Sequence, residues 1–164
     1  TVGDEFQGRY ATLGEALDAA LRVRLALLPM VDVRFGIGRG EVMALDPGGL
    51  EDGPGWWAAR EALEWVEDHQ RSAGMRGLRT AYRCAGADGE PTVDAVNAAL
   101  ICRDQLIASF PDRALRITRG LLDGQTQAAL AQAEGVSASA VSQQVRSHGI
   151  GALVQAHDFL RRLP

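Results

Sequence analysis

Ser137, Ala138, Ser139, Ser142, Gln143 and Arg146 fall within the run S-A-S-A-V-S-Q-Q-V-R. At helical spacing the last five share one face, with Ser137 at the head of the helix, and Ala140, Val141 and Val145 share the face behind it. Short hydroxyls, a carboxamide and a guanidinium are the groups that pair with base edges, the guanidinium bidentately with guanine. The chemistry this face could do is non-covalent recognition of duplex DNA. Positioning it requires a second helix and a tight turn. Ala131 is small enough for a close helix crossing, Gly135 supplies a positive φ, and Val136 tucks beneath the turn. Ser137 is placed to N-cap the following helix with its hydroxyl. The alternative for the same pattern is a small three-helix bundle that only packs or dimerises.

Thr126 to Ser147 as a whole resembles a helix-turn-helix unit, whose second helix lies in a DNA groove. Charge is distributed to suit that expectation. From Asp112 onward six arginines face four carboxylates, giving +2, and the preceding 111 residues carry −6, which recovers the net −4 of the 164-residue chain. A mildly basic segment attached to an acidic body fits a regulator, and does not fit a strong non-specific nucleic-acid binder. One such unit carries few phosphate contacts, so a homodimer is expected on DNA. The chain has no lysine, and its 17 basic residues are all arginine. No apolar run approaches membrane-spanning length and no signal segment opens the chain, so no membrane partner is expected. Cys84 and Cys102 lack metal-ligand spacing and are expected as small core thiols of a cytoplasmic protein. The absence of an initiator Met points to an N-terminus that lacks its first portion.

Along the chain, residues 1 to 7 predict the tip and second arm of a β-hairpin with Gly3 and Asp4 at the turn. Thr12 and Glu15 form a capping box opening a helix whose apolar face is Leu13, Ala16, Leu17, Ala20 and Leu21, closed by Pro29. Val31, Val33, Phe35 and Ile37 alternate as a strand, and Gly36, Gly38 and Gly40 mark close approach by a ligand or another backbone. After a Gly/Pro-rich loop, a helix over 56–69 places Trp57, Ala58, Ala62, Trp65 and Val66 in the core. Leu78, Thr80, Tyr82 and Cys84 predict an edge strand, and residues 92–109 a helix joining the two halves. Asp112 is expected to cap the next helix, and Leu153 to Leu160 to lie on a final amphipathic one. His69, His148 and His157 show no common spacing, and no role is assigned to them.

Gly3-Asp4-Glu5-Phe6-Gln7, a helix, then V-R-F-G-I-G-R-G-E-V from Val33 to Val42, resembles the fold shared by class III nucleotide cyclases and GGDEF-type diguanylate cyclases. The segment Asp52 to Leu63 resembles the cyclase helix that carries an Asn and an Arg. With the C-terminal helix-turn-helix, the whole chain resembles the SatD family. This resemblance implies an α+β fold: a ferredoxin-like cyclase/GGDEF-like domain over residues 1–90, a linking helix over 91–111, and an all-α helix-turn-helix domain over 112–164. The first strand of that palm, with its metal-binding carboxylate, falls before Thr1. Asp4 matches the hairpin carboxylate with Glu5 beside it, Arg60 matches the transition-state arginine, and Trp56 replaces the Asn. Mg²⁺ would bind there only loosely and cyclase turnover is not expected, while a nucleotide or metal ligand at Asp4, Glu5, Trp56 and Arg60 stays open. From the residues alone, Asp4 also fits a turn and Arg60 also fits a pair with Glu64. The function expected is DNA-binding transcriptional regulation, gated by a ligand or partner at the N-terminal half. A nucleotide cyclase or related metal-dependent phosphotransferase, and a non-catalytic adaptor, are the alternatives.

Overall fold

The computed structural model describes residues 5–45, 51–86 and 90–164, with side chains from 93 onward in the last segment. Asp4, Gly3 and the expected hairpin tip lie outside these residues. Glu5 to Tyr10 form no strand, and Phe6 instead sets its ring edge-on to Phe35, with centroids 5.9 Å apart.

Helix α1, Leu13–Leu27, starts as its capping box requires: Thr12 Oγ1 accepts from Glu15 N at 3.1 Å, and Glu15 accepts from Ala11 N at 2.9 Å. Its first turn is also capped from far away. Leu13 N donates to Pro164 O at 3.2 Å and Gly14 N to Leu163 O at 3.0 Å. The chain's last carbonyls therefore satisfy amides that a helix N-terminus leaves unpaired. Gly14 is needed there, because a Cβ would run into the carbonyl of Arg161.

Strand β1, Phe35–Arg39, pairs in parallel with strand β4, Thr80–Cys84, and helix α2, Pro54–His69, makes the crossover between them. The strand begins at Phe35 rather than Val31, because its partner begins there: Phe35 N donates to Arg79 O at 2.7 Å. Between β1 and α2, strand β2, Met43–Ala44, pairs antiparallel with strand β3, Glu51–Asp52. The glycine stripe now has its cause. A Cβ on Gly36 would overlap Ala59 O, and one on Gly38 would overlap Gly55 O and Ala59 N. The close approach is made by another backbone, that of α2, and no ligand is required to explain it.

On the opposite face, Ile37 and Tyr82 pack with Leu13, Leu17 and Ala20 of α1 and with Val96 and Leu100 of helix α3, Glu90–Ala108. β4 is thus covered on both faces: Thr80, Ala81 and Tyr82 are all buried. Its outer edge is closed by side chains of α3 instead of a strand. Asp104 Oδ2 accepts from Arg79 N and Thr80 N at 2.8 and 2.6 Å, and the Asn97 carboxamide bonds both Tyr82 N and Tyr82 O. An edge sealed this way offers no template for further pairing.

Helices α4, Asp112–Leu122, α5, Gln127–Ala133, α6, Ala138–Ser147, and α7, Ile150–Leu160, follow. The N-cap of α4 is Pro111, so Asp112 is its first helical residue and caps nothing with its side chain. It still places a negative charge in the first turn, where the helix dipole favours one. These helices enclose Leu115, Ile117, Leu130, Val141 and Leu153 together with Leu21 and Leu25 of α1 and Ile107 and Phe110 at the end of α3. Cys84 is half-buried and Cys102 exposed, both free, so neither is the enclosed core thiol expected from sequence. Among the described residues no helix is long and apolar enough to cross a membrane.

Candidate functional site

The α5–α6 pair is built from two side-chain caps and one glycine. Thr126 Oγ1 accepts from Ala129 N at 3.2 Å, and Ser137 Oγ accepts from Ala140 N at 3.2 Å. Between the helices Gly135 takes φ +64°, and Val136 N donates to Ala131 O at 3.0 Å. Ala131 and Val141 are buried where the helices meet, as the small-residue pattern requires. Outward, Ser137, Ala138, Ser139, Gln143 and Arg146 are exposed and Ser142 is half-buried. Ser137 and Ser139 share a hydroxyl contact at 2.9 Å, and Arg146 Nη1 donates to Ser142 Oγ at 3.0 Å. Ser137 is the N-cap of α6, and Ala138, Ser139, Ser142, Gln143 and Arg146 lie along the helix itself.

Beside the turn, Arg116 grips Glu134 with two bonds, Nε to Oε1 at 2.7 Å and Nη2 to Oε2 at 2.6 Å. This hydrogen bond holds the Glu134 carboxyl below its usual range and pins the C-cap of α5 to α4. Arg113 stands 3.7 Å from the same carboxylate. Glu134 thus lies between two partly exposed guanidiniums.

The residues considered for a ligand in the N-terminal half are partly brought together. Arg60 pairs with Glu5 at 3.5 Å, not with Glu64. Trp56 lies one turn earlier on α2, half-buried, and its indole Nε1 is buried without a hydrogen-bond partner among the described residues. Trp57, expected in the core, is 62% exposed and donates its Nε1 to Asp52 Oδ1 at 2.8 Å. The reason is geometric: α2 meets Gly36 and Gly38 through Gly55, Ala59 and Leu63 and buries Ala58 and Ala62, and position 57 falls on the other side of the helix. Trp65 is half-buried under the Arg83 guanidinium, 5.2 Å from the ring centroid. Among the described residues no group of three or more His, Cys, Asp and Glu side chains gathers as a metal site would.

The model of the SatD family matches residues 1–161. The chain belongs to the SatD family. No curated protein and no solved structure matches it.

Two polar constellations of this SatD-family chain escape sequence reasoning. The first is a charged network under the sheet. Arg24 of α1 reaches Asp32 at 2.9 Å and Asp104 at 3.0 Å; Arg79 reaches Asp32 at 2.9 Å; Arg103 donates to Thr80 Oγ1 at 3.0 Å. Arg24 and Asp104 are 1% and 0% exposed. The Arg24–Asp104 contact lacks hydrogen-bond geometry, and Arg24 Nη2 and Arg103 Nη1 are also unpartnered among the described residues. Burial pulls the Arg103 pKa down, opposed by Asp104 and reinforced by Arg24. The second is His157 of α7, 1% exposed, whose Nε2 donates to Asp18 Oδ1 at 2.9 Å. Burial lowers its pKa, with the Asp18 hydrogen bond opposing. For Asp18 burial pushes up, but the bonds from His157 and Arg22 outweigh it and hold the carboxyl low. Arg22 carries this link on to Asp123 and the Leu122 carbonyl at the end of α4. Neither constellation has local spacing that would reveal it.

Proposed function

We propose that α5 and α6 form a helix-turn-helix, that α6 reads base edges, and that the chain is a DNA-binding transcriptional regulator. The observation that carries this reading is the outward face of α6. Ser139, Gln143 and Arg146 are exposed polar groups on a helix whose other side is anchored by Val141, and the fold needs none of them for its core. Arg113 and Arg116 beside the turn supply positive charge for the phosphate backbone. Two copies reading half-sites about one helical turn apart would double those contacts. The N-terminal half is the ligand- or partner-sensing part in this reading, with Glu5, Trp56 and Arg60 supported as its ligand residues by the Trp56 indole, which is unpartnered among the described residues.

The test is Arg146→Ala against a duplex selected from random sequence. Arg146 is exposed and its side-chain bond is to Ser142, so the variant keeps the parent's melting temperature. Affinity falls by about 1–3 kcal/mol if the guanidinium grips a guanine edge. An electrophoretic shift with unchanged affinity, or a selection that enriches no sequence, removes α6 from the role.

A further inference from the structure

A pocket of about 500 Å³ opens between the end of α1, the approach to β4 and the α3–α4 junction. It shares no lining residue with Glu5, Trp56 and Arg60. One wall is basic: Arg24, Arg76 and Arg79 stand against a single carboxylate, Asp32, for a local +2 in a chain of net −4. The other wall is apolar, formed by Pro29, Ile107, Phe110 and Leu115. We infer that this pocket binds a small organic anion, its phosphate or carboxylate held by Arg76 and Arg79 and its compact apolar body seated against Phe110 and Leu115.

Arg79 is fixed before any ligand arrives. Its Nε faces Asp32 at 2.9 Å, and its Nη1 donates to the carbonyls of Arg76 and Leu78 at 2.8 and 2.7 Å. Arg76 is exposed and has no ion-pair partner among the described residues, so its guanidinium is available to an incoming oxyanion. Arg24 forms the floor, and its side chain is 1% exposed with Nη2 unpartnered among the described residues. Behind it, Asp104 faces both Arg24 and Arg103, so the four guanidiniums around the pocket and its floor still exceed the two carboxylates Asp32 and Asp104 by +2. A low-dielectric wall projects that excess into the cleft, where an oxyanion offsets it without entering the core. Gln105 adds a neutral donor: its Oε1 accepts from Gly77 N at 3.3 Å, which leaves its amide NH₂ for the ligand. The volume suits a ligand with one ring or a short chain. The inference is independent of DNA reading by α6.

The test uses the full chain and phenyl phosphate as the probe, with benzoate, inorganic phosphate and phenol as comparisons. Calorimetry is combined with amide shifts at Gln105 and Ser109. Phenyl phosphate and benzoate are expected to bind, phenol not at all, and inorganic phosphate more weakly. Arg76→Ala, whose side chain supports nothing else, is expected to weaken phenyl phosphate by about tenfold or more. The inference is overturned if no probe binds up to about 10 mM, if phenol binds as well as phenyl phosphate, if inorganic phosphate binds equally well, or if Arg76→Ala binds as the parent does.

Discussion

Arg24 and Arg103 lie 1% and 5% exposed beneath the sheet, held among Asp32, Asp104 and Thr80. Arg146 lies on the open face of α6, its guanidinium donating only to a neighbouring serine among the described residues. One residue type thus serves two regions in opposite ways. Under the sheet, the guanidiniums tie α1, β4 and α3 together, and each partner removed leaves a desolvated charge behind. On α6 the guanidinium is exposed and bonds only Ser142 among the described residues, so the core does not depend on it. The same contrast runs through the backbone. The α2–β1 contact is made glycine to main chain and tolerates no added atom, whereas α4–α7 pack through side chains such as Leu130, Val141 and Leu153. Substitutions at the glycine contact act on stability, whereas substitutions at the exposed positions of α6 leave the core untouched.

The largest effect expected from breaking this contrast is at Asp104. Asp104→Ala leaves Arg103 buried without a carboxylate, Arg24 with Asp32 alone, and the amides of Arg79 and Thr80 without their side-chain acceptor. Unfolding in urea should show a loss of about 3–5 kcal/mol. A loss under about 1 kcal/mol would mean that water reaches the network and the buried region is not as unforgiving as described.

Gly38→Ala comes next. The new methyl meets Gly55 O and Ala59 N, both main chain, so α2 must move off the strand. A loss of about 1–3 kcal/mol is expected, comparable with overpacking a tight core. A melting temperature equal to the parent's would show that the glycine stripe is not a docking track for α2.

The smallest effect is a pH dependence at the link between α1 and α7. His157 titrates below its ordinary value of 6.5 in the folded chain, so the unfolded chain takes up a proton first as pH falls. The stability it contributes is complete above about pH 6.5 and declines as pH drops through the folded value. Asp18, also held low, adds a loss of the same sign below its ordinary 3.8. His157→Gln should flatten the slope of unfolding free energy between about pH 6.5 and 5. An unchanged slope would remove His157 as its source.

What the sequence determined by itself was set within three or four residues. Thr12 with Glu15, Thr126 ahead of Ala129, Ser137 ahead of Ala140 and Gly135 at the turn each act on amides close by, so spacing alone reports them. The polar face of α6 is legible for the same reason, since helical periodicity sorts its residues without reference to the rest of the chain. What only the tertiary structure decided depends on partners far apart in sequence. Arg24 finds Asp104, His157 finds Asp18, Arg60 takes Glu5 over Glu64, and the last two carbonyls cap α1. Trp57 is turned outward because glycines on another element dock α2 through Gly55, Ala59 and Leu63, which lie on the opposite side of the helix. Charge pairing and exclusion by packing act through space, and no local pattern records which distant residue will occupy that space.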